Sequence, residues 1–264
     1  MNANPYLPRP ARILDIRRET EIDYTYRLEW PERPQPGQFF KVSIPRFGEA
    51  PISVSDFGDG YLDMTIRSVG RVTDGIFDLQ PGDTLYVRGP YGRGFRVEQY
   101  TDKHLIIAAG GTGLAPVKGV ISHFTERPDE LAGFDILLGF KSPDDILFRD
   151  EVAAWSERAN VQMIVDRATD GWNGNVGLIT ELIRQLEMSD RSNTEAVIVG
   201  PPMMMKFSVK EFLERGLAKE QIWVSYERRM SCGIGKCGHC KINDRYVCLD
   251  GPVFNFTEAQ WLVD

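Results

Sequence analysis

Hydrophobic and polar residues over the first hundred positions alternate in short runs of the kind that favours β-strands. The runs ARILDI, YTYRLEW, QFFKVSI, YLDMTIR and DTLYVRG are rich in β-branched and aromatic residues. Turn-forming stretches such as PERPQPG, FGDG and QPGD separate them. The pattern predicts a small antiparallel β-barrel. One helix interrupts it around VTDGIFDL, where Val72, Ile76 and Leu79 share a helical face.

From about residue 100 the pattern changes to continuous apolar runs that alternate with helix-like segments. The apolar runs are HLIIAA, FDILLGF, VQMIVD, EAVIVG and QIWVSY. Continuous runs of this length suit strands that are buried on both faces. Their alternation with helices predicts a doubly wound, parallel, five-stranded α/β sheet. After about residue 228 the chain is rich in Gly and Cys. We therefore divide it into segments 1–100, 101–228 and 229–264.

Composition and charge argue against two classes of partner. The chain has 264 residues, a net charge of −7 and a pI of about 5.2, so it lacks the basic surface that nucleic acids and anionic membranes require. No apolar run approaches the ~20 residues needed to span a bilayer, and the N-terminus has no apolar signal region. We expect a cytoplasmic protein, in which clustered cysteines hold metal or do redox work more often than they form disulfides.

A glycine-rich loop follows the first continuous apolar run and leads into a helix. Its residues Gly110, Gly111, Thr112 and Gly113 allow a sharp turn and a close backbone approach to a ligand, and Pro116 lies in the first turn of the helix. The unpaired N–H groups and the positive dipole end of that helix would stabilise a dinucleotide pyrophosphate. The alternative is a plain tight turn, which the strand–loop–helix context disfavours.

A second loop, GPPMMM, supports the same nucleotide site. Gly200, Pro201 and Pro202 follow the fourth apolar run, at the carboxyl edge where α/β sheets bind ligands. We assign these three residues to the ligand and the methionines that follow, at 203–205, to helix packing.

The third apolar run ends at an acidic residue that bears on the choice of cofactor. Asp166 stands beside Arg167 in the stretch VDRATDGW. A carboxylate at this position repels the 2′-phosphate of NADPH, whereas the arginine would attract it or remain solvated. The pair favours NADH as the substrate and adds Asp166 to the predicted binding residues.

All four cysteines lie between residues 231 and 248. Cys232, Cys237, Cys240 and Cys248 give the pattern C-x4-C-x2-C-x7-C, whose opening is the spacing of plant-type [2Fe–2S] proteins. Glycines between them permit backbone angles at which N–H groups point at the sulfurs. The alternatives are a structural zinc, which usually shows two paired knuckles, and two disulfides. We interpret His239 as a loop residue rather than a ligand.

Five motifs in order resemble the ferredoxin–NADP reductase superfamily: APISVS, IRSVGRVTDGIFDLQPGD, VRGPYGRGF, GGTGLAP and GPPMMM. The resemblance implies that the barrel binds FAD and the α/β domain binds the nicotinamide nucleotide. Pro51, Ile52 and Ser53 match the last three positions of the family's flavin motif, which places Ser53 near the flavin. Ala50 stands where the family usually has arginine, so the usual charge contact to the flavin phosphate is missing.

The same resemblance implies further flavin contacts next to the barrel helix. Ile66 and Arg67 match positions that lie along the flavin nucleotide in relatives. Gly70, Val72 and Thr73 open the helix, where backbone N–H groups and the threonine hydroxyl would bind the pyrophosphate. Since hydride transfer takes place between cofactors, no residue is assigned as a general acid or base.

A barrel, a nicotinamide domain and a short cluster segment occur together in few relatives. GEAPISVSDFGDG, VIVGPPMMM and EQIWVSYERRMSCGIGKCGHC resemble the flavin-binding electron-transfer subunit of anaerobic sulfite reductase. This implies a subunit that oxidises NADH by hydride transfer to FAD. It would pass single electrons through a [2Fe–2S] cluster to an iron–sulfur subunit and a sirohaem catalytic subunit.

Other partners and one other class of protein remain as alternatives. The gamma (diaphorase) subunit of a soluble nickel–iron hydrogenase and the electron-transfer subunit of dihydroorotate dehydrogenase share the same three parts. A redox-sensing binding module is the alternative of another class, but it would have no use for a nicotinamide loop. Because one cluster takes all four cysteines, the terminal reduction is left to a partner.

Overall fold

The computed structural model describes residues 4–262, which form two compact units. The first unit contains the chain up to Phe95 together with Tyr226–Val253. The second contains Arg96–Ser225 and Phe254–Trp261. The cysteine segment is therefore part of the unit built on the N-terminal strands, although about 130 residues of the second unit separate them in sequence. Among the described residues, no helix combines the length and the apolarity needed to cross a membrane.

The first unit is built on a closed antiparallel barrel, as the alternating pattern predicts. Its six strands are β1 (Arg9–Arg18), β2 (Asp23–Glu29), β3 (Phe39–Ile44), β4 (Gly48–Gly58), β5 (Tyr61–Arg67) and β6 (Thr84–Tyr91). They are ordered β1-β2-β5-β4-β3-β6, and β6 pairs with β1 to close the barrel. The predicted helix, α1 (Arg71–Phe77), lies between β5 and β6.

Aromatic side chains fill the barrel and attach α1 to it. The rings of Trp30 and Phe40 meet edge to face at 5.3 Å, a favourable arrangement for buried aromatics. The hydroxyl of Tyr26 donates to the carbonyl of Ile76 at 3.1 Å. Because Tyr26 is fully buried, this bond satisfies a polar group that would otherwise be costly in the core. It also fixes the position of α1 on the barrel.

The second unit is built on a seven-stranded sheet. All five predicted strands are present: β7 (His104–Gly110), β8 (Gly133–Phe140), β9 (Asn160–Val165), β11 (Thr194–Val199) and β12 (Ile222–Ser225). Two short strands that the pattern did not indicate extend the edges: β10 (Asn175–Val176) and β13 (Val253–Asn255). The order is β10-β9-β8-β7-β11-β12-β13, and the ladders from β10 to β12 are parallel. Strands of two or three residues are too short for a periodic signal.

The remaining helices follow the predicted alternation. They are α2 (Leu114–Glu126), α3 (Arg149–Trp155), α4 (Ile179–Gln185), α5 (Pro202–Glu214) and α6 (Phe256–Ala259). α2 packs against α3, and α4 packs against α5. The chain order of the strands reverses between β7 and β11, which are hydrogen-bonded neighbours. In open α/β sheets the crevice at such a reversal is the usual ligand site.

Candidate functional site

The four cysteine side chains lie in two pairs of free thiols. Cys232 and Cys237 are hydrogen-bonded to one another and reach the surface. Cys240 and Cys248 form the second hydrogen-bonded pair and are buried, at 2% and 1% exposure. The two pairs are close enough for Cys248 to feel the charge of Cys232. The four predicted ligands therefore lie in one loop as two neighbouring pairs.

Backbone N–H groups of the cysteine loop point at the sulfurs. Three of them donate to Sγ of Cys232 at 3.4, 3.3 and 3.4 Å: those of Ile234, Lys236 and Cys237. The N–H of Gly235 donates to Sγ of Cys248 at 3.2 Å. Gly233 and Gly235 have φ of 76° and 71°, a left-handed conformation that other residues rarely adopt. The glycines thus permit the turns that direct these donors inward.

The two pairs differ in electrostatic environment. The N–H groups of Cys232 and His239 lower the pKa of Cys237 to about 7. Burial raises the pKa of Cys248 to about 12, because a thiolate is poorly solvated in the interior. Metal ligation requires thiolates, so a bound cation would have to offset the burial of the second pair.

The arrangement of the thiols tests which metal group fits. A structural zinc needs four ligands around one point. Within residues 4–262, no three Cys, His, Asp or Glu side chains converge closely enough to hold a single metal ion. Two adjacent thiol pairs with N–H groups directed at sulfur instead fit an iron–sulfur centre, whose sulfurs accept such hydrogen bonds.

Three charged residues of the barrel were not anticipated from the sequence, and two of them, Lys41 and Arg88, contact the start of the cysteine loop. Lys41 of β3, Glu49 of β4 and Arg88 of β6 form a connected group that we call the barrel triad. Lys41 and Arg88 are 1% and 7% exposed. A lysine inside the apolar run FFKVSI was the one signal available, since buried lysines are rare unless paired.

The two predicted nucleotide loops meet at the carboxyl end of the sheet. A Cβ on Gly113 would lie only 2.6 Å from the carbonyl oxygen of Val199. A Cβ on either Gly110 or Gly200 would run into the thioether of Met204. These glycines are required by close packing between the β7–α2 and β11–α5 loops. Met204 packs under both loops and Met205 is buried, as predicted for the methionines, but Met203 is 60% exposed, so the packing role predicted for it is wrong.

The other predicted nucleotide residues differ in accessibility. Gly111 has φ of 53° and begins a short 3₁₀ turn that ends where α2 begins. α2 has no side-chain cap, so its first N–H groups have no side-chain partner. Thr112 is half-buried and Pro116 is buried within α2, whereas Pro201 and Pro202 are exposed.

Asp166 and its neighbour Arg167 are both exposed at the carboxyl end of β9. Their backbone N–H groups donate to the carbonyls of Phe140 and Lys141 at 2.9 and 3.0 Å. This pairing continues the ladder between β8 and β9 beyond the strands. Hydrogen bonds to β8 and the residue after it therefore fix the backbone that carries both side chains.

The predicted flavin residues of the barrel lie on β4 and β5. Pro51, Ile52 and Ser53 are half-buried on β4. Ile66 is fully buried in the barrel core, so only its backbone is available to a ligand. Arg67 makes two hydrogen bonds with the buried carboxylate of Asp23, at 2.8 and 2.9 Å. Its guanidinium is therefore already paired with a carboxylate of the barrel.

The first turn of α1 is partly satisfied by its own side chains. The Thr73 hydroxyl donates to the carbonyl of Gly70 at 2.9 Å and accepts from the N–H of Val69 at 3.0 Å. The carboxylate of Asp74 accepts from the N–H of Gly70 at 3.2 Å. Gly70 is exposed and Val72 is half-buried. No side chain caps the helix at its N-cap residue, and the acidic Asp74 lies in the same turn.

Comparison with known proteins matches two parts of the chain to known families. Residues 107–210 match the oxidoreductase NAD-binding domain. Residues 227–260 match the iron–sulfur cluster binding domain of dihydroorotate dehydrogenase B. The second match spans all four cysteines.

Relatives and solved structures cover almost the whole chain. Sulfhydrogenase 2 subunit gamma of Pyrococcus furiosus is 36% identical over 97% of each chain. A probable dihydroorotate dehydrogenase B (NAD(+)) electron transfer subunit of Thermoplasma volcanium is 30% identical and covers 94% of this chain and 89% of its own. A chain of the NADH-dependent reduced ferredoxin–NADP oxidoreductase structure superimposes with a TM-score of 0.78 at 24% identity, covering 98% of this chain and 91% of its own.

Fold and sequence together define the class of protein. The chain is an NAD-dependent oxidoreductase subunit with the fold of the ferredoxin–NADP reductases. It belongs to the family that includes the sulfhydrogenase gamma subunits and the dihydroorotate dehydrogenase B electron transfer subunits.

Proposed function

We propose that this chain is an electron-transfer subunit that takes electrons from NADH and delivers them singly to a partner subunit. When bound, FAD would accept a hydride from NADH, and a [2Fe–2S] cluster would carry single electrons. The observation that carries the proposal is the pairing of four thiols in a loop whose N–H groups point at their sulfurs.

Cys232, Cys237, Cys240 and Cys248 would hold the cluster. Each metal of a two-iron cluster takes two protein ligands, and the structure has two adjacent thiol pairs. The exposed pair contains Cys237, which gives electrons a short path to the surface. The buried pair, Cys240 and Cys248, would fix the cluster to the interior of the first unit.

NADH would bind across the β7–α2 and β11–α5 loops. The thirteen-residue α2 offers the pyrophosphate the positive dipole end and the N–H groups of a terminus that no side chain caps. Gly110, Gly111, Thr112, Gly113 and Pro116 would shape the first loop, and Gly200, Pro201 and Pro202 the second. Asp166 would accept from the adenosine ribose hydroxyls and repel a 2′-phosphate, so NADH would be preferred.

The barrel residues on β4, β5 and α1 would hold FAD. Pro51, Ile52 and Ser53 would contact the flavin, with the Ser53 hydroxyl available to it. Ile66 would contribute through its backbone, and Arg67 would lie along the nucleotide while remaining paired with Asp23. Val72 and Thr73 would receive the pyrophosphate through their N–H groups, beside Gly70, whose own N–H is held by Asp74. With Ala50 in place of arginine, this contact would depend on the backbone more than on charge.

We propose an anaerobic sulfite reductase as the complex that receives the electrons. Support comes from the resemblance of GEAPISVSDFGDG, VIVGPPMMM and EQIWVSYERRMSCGIGKCGHC to the flavin-binding electron-transfer component of that enzyme. The partners would then be an iron–sulfur subunit and a sirohaem catalytic subunit. A nickel–iron hydrogenase is the second candidate, because a sulfhydrogenase gamma subunit is 36% identical over nearly the whole chain.

Two measurements test this assignment. Anaerobically purified chain should carry flavin and iron, and NADH should bleach its flavin absorbance; a flavoprotein that NADH fails to bleach would support a redox-sensing binding module instead. Affinity purification from the native cell then decides the partner. Co-purification of a sirohaem protein supports the sulfite reductase, whereas co-purification of a nickel protein overturns it in favour of hydrogenase.

A further inference from the structure

The barrel triad binds the backbone that leads into the cysteine loop. Nζ of Lys41 donates to the carbonyl of Met230 at 2.8 Å. The guanidinium of Arg88 donates to the carbonyls of Ser231 and Cys232 at 3.0 and 2.6 Å. Three consecutive carbonyls of the loop therefore accept hydrogen bonds from two cations of the barrel.

Two of these peptide groups donate to a cysteine on their other side. The N–H of Cys232 belongs to the same peptide group as the carbonyl of Ser231, and it donates to Sγ of Cys237 at 3.5 Å. The N–H of Ser231, which shares a peptide group with the carbonyl of Met230, also faces Cys237 and helps to lower its pKa. Each peptide group thus links a buried cation to one sulfur. Hydrogen bonds in such chains polarise and strengthen one another.

The triad carries a net positive charge beneath the loop. Lys41 and Arg88 are directly opposite one another on β3 and β6, where like charges repel. Glu49 relieves that repulsion: its carboxylate lies 3.3 Å from Nζ of Lys41 and accepts two 2.6 Å hydrogen bonds from Arg88. One carboxylate against two cations leaves one positive charge.

The ionisation of the triad agrees with this arrangement. Burial lowers the pKa of Lys41, and the charge of Glu49 opposes that effect. Hydrogen bonds to Glu49 raise the pKa of Arg88. Burial alone would raise the pKa of Glu49, but Arg88 and Lys41 outweigh it and the pKa lies below its usual value. The carboxylate is therefore ionised at neutral pH.

We infer that Lys41, Glu49 and Arg88 are positioning residues that set the reduction potential of a metal centre held by Cys237 and the other cysteines. The inference rests on the proposed function, in which the cysteines hold a cluster. Reduction adds one negative charge to such a centre, and hydrogen bonds to its sulfurs stabilise that charge. The two cations strengthen those hydrogen bonds through peptide groups 230–231 and 231–232, so they favour the reduced form. The carboxylate opposes them.

The signs of the charges give opposite predictions for two variants. Lys41→Met keeps a side chain of similar length but removes one cation and one donor. At a fixed potential the ratio of reduced to oxidised centre should fall about tenfold, which is a shift of about −59 mV for one electron. Glu49→Gln removes the negative charge and should raise the ratio. Arg33→Gln is the matched control, since Arg33 pairs with exposed Asp59 on the barrel surface and should leave the potential unchanged.

The measurement is a redox titration of the purified holoprotein followed by EPR, with iron content measured for each variant. Opposite shifts in the two variants support the inference, and Glu49→Gln alone carries the test if Lys41→Met does not fold. If the wild-type protein gives the EPR spectrum of a bound cluster, two results overturn the inference: shifts of both variants in the same direction, or changes below about twofold in the ratio of reduced to oxidised centre. A wild-type chain that binds no iron overturns the proposed function itself, and the inference with it.

Discussion

The cysteine loop and the glycine loop before α2 both present backbone N–H groups, but they are held in different ways. The glycine loop joins β7, which is buried except for His104 at its start, to a thirteen-residue helix and is packed against Met204 and Val199. The cysteine loop contains only a short hairpin, Lys241–Ile242 with Arg245–Tyr246. Its start is held by side chains that are more than 140 residues earlier in the chain.

The two loops depend on the rest of the protein in different ways. Regular elements and the facing β11–α5 loop position the glycine loop, so its geometry follows from packing at the edge of one α/β sheet. The cysteine loop depends on charged groups of a barrel that folds from a distant part of the chain. We expect substitutions near the glycine loop to act on nucleotide binding, and substitutions of the barrel triad to act on the metal centre.

The largest effect should follow removal of a thiol. Cys240→Ser should abolish cluster binding, because an alcohol does not replace a buried thiolate as an iron ligand. Iron content and visible absorbance should fall to the baseline, while NADH still bleaches the flavin. Ser231→Ala, in the same loop, should retain iron. Normal iron content in Cys240→Ser would show that this cysteine is not a ligand. It would also contradict the expected difference between the cysteine loop and the glycine loop.

A methyl group at Gly113 should disturb the other loop. The new Cβ would lie 2.6 Å from the carbonyl of Val199, so the two nucleotide loops must separate. Overpacking of this kind costs about 1–3 kcal/mol, and KM for NADH should rise about tenfold or more in steady-state assays with an artificial acceptor. Gly111→Asn is the matched comparison. Asparagine tolerates the left-handed φ of 53° and nothing lies near its Cβ, so its effect should be smaller.

Removal of the Asp166 carboxylate should change cofactor preference. Asp166→Ser should raise kcat/KM for NADPH relative to NADH by about tenfold, equivalent to about 1.4 kcal/mol, because the repulsion of the 2′-phosphate is lost. Asp170→Asn is the control, since Asp170 is also exposed and lies four residues away. An unchanged ratio for Asp166→Ser would place the adenosine ribose elsewhere.

The smallest effect concerns the pH dependence of stability. The pKa of Glu49 lies below its usual value of 4.5, so its contribution is present above that pH and is lost as pH falls through the lowered pKa. Thermal unfolding of apoprotein should show a loss of stability below about pH 4.5 that is weaker in Glu49→Gln. Glu32→Gln, which removes an exposed pair with Arg9, should change the profile less. Identical profiles for wild type and Glu49→Gln would show that the triad adds no acid-sensitive stability.

Much of the fold could be predicted because its signals are local. The apolar run of β7 and the helical spacing of α2 each lie within about a dozen residues, and all five central strands of the sheet were found in this way. The strands β10 and β13 were missed because two or three residues carry no period. The four cysteines could be singled out from spacing alone, since thiols that share a loop are close in sequence.

The triad shows what local signals omit. Arg88 and Lys41 become neighbours only when β6 pairs with β3, and Glu49 joins them through β4. Pairing of β2 with β5 likewise places Asp23 opposite Arg67, and packing in the barrel core buries Ile66. Strand alternation predicts that one face is buried but does not identify the charged groups that will meet there.

The amino-acid sequence by itself determined the barrel, the parallel sheet, the two nucleotide loops and the four thiols, because each is encoded by periodicity, turn residues or spacing within one segment. Only the tertiary structure decided how the cysteine loop is held. Barrel closure places Lys41 and Arg88 under Met230, Ser231 and Cys232. Contacts over such separations arise from strand pairing and burial of charge, and they leave no pattern within any single stretch of the chain.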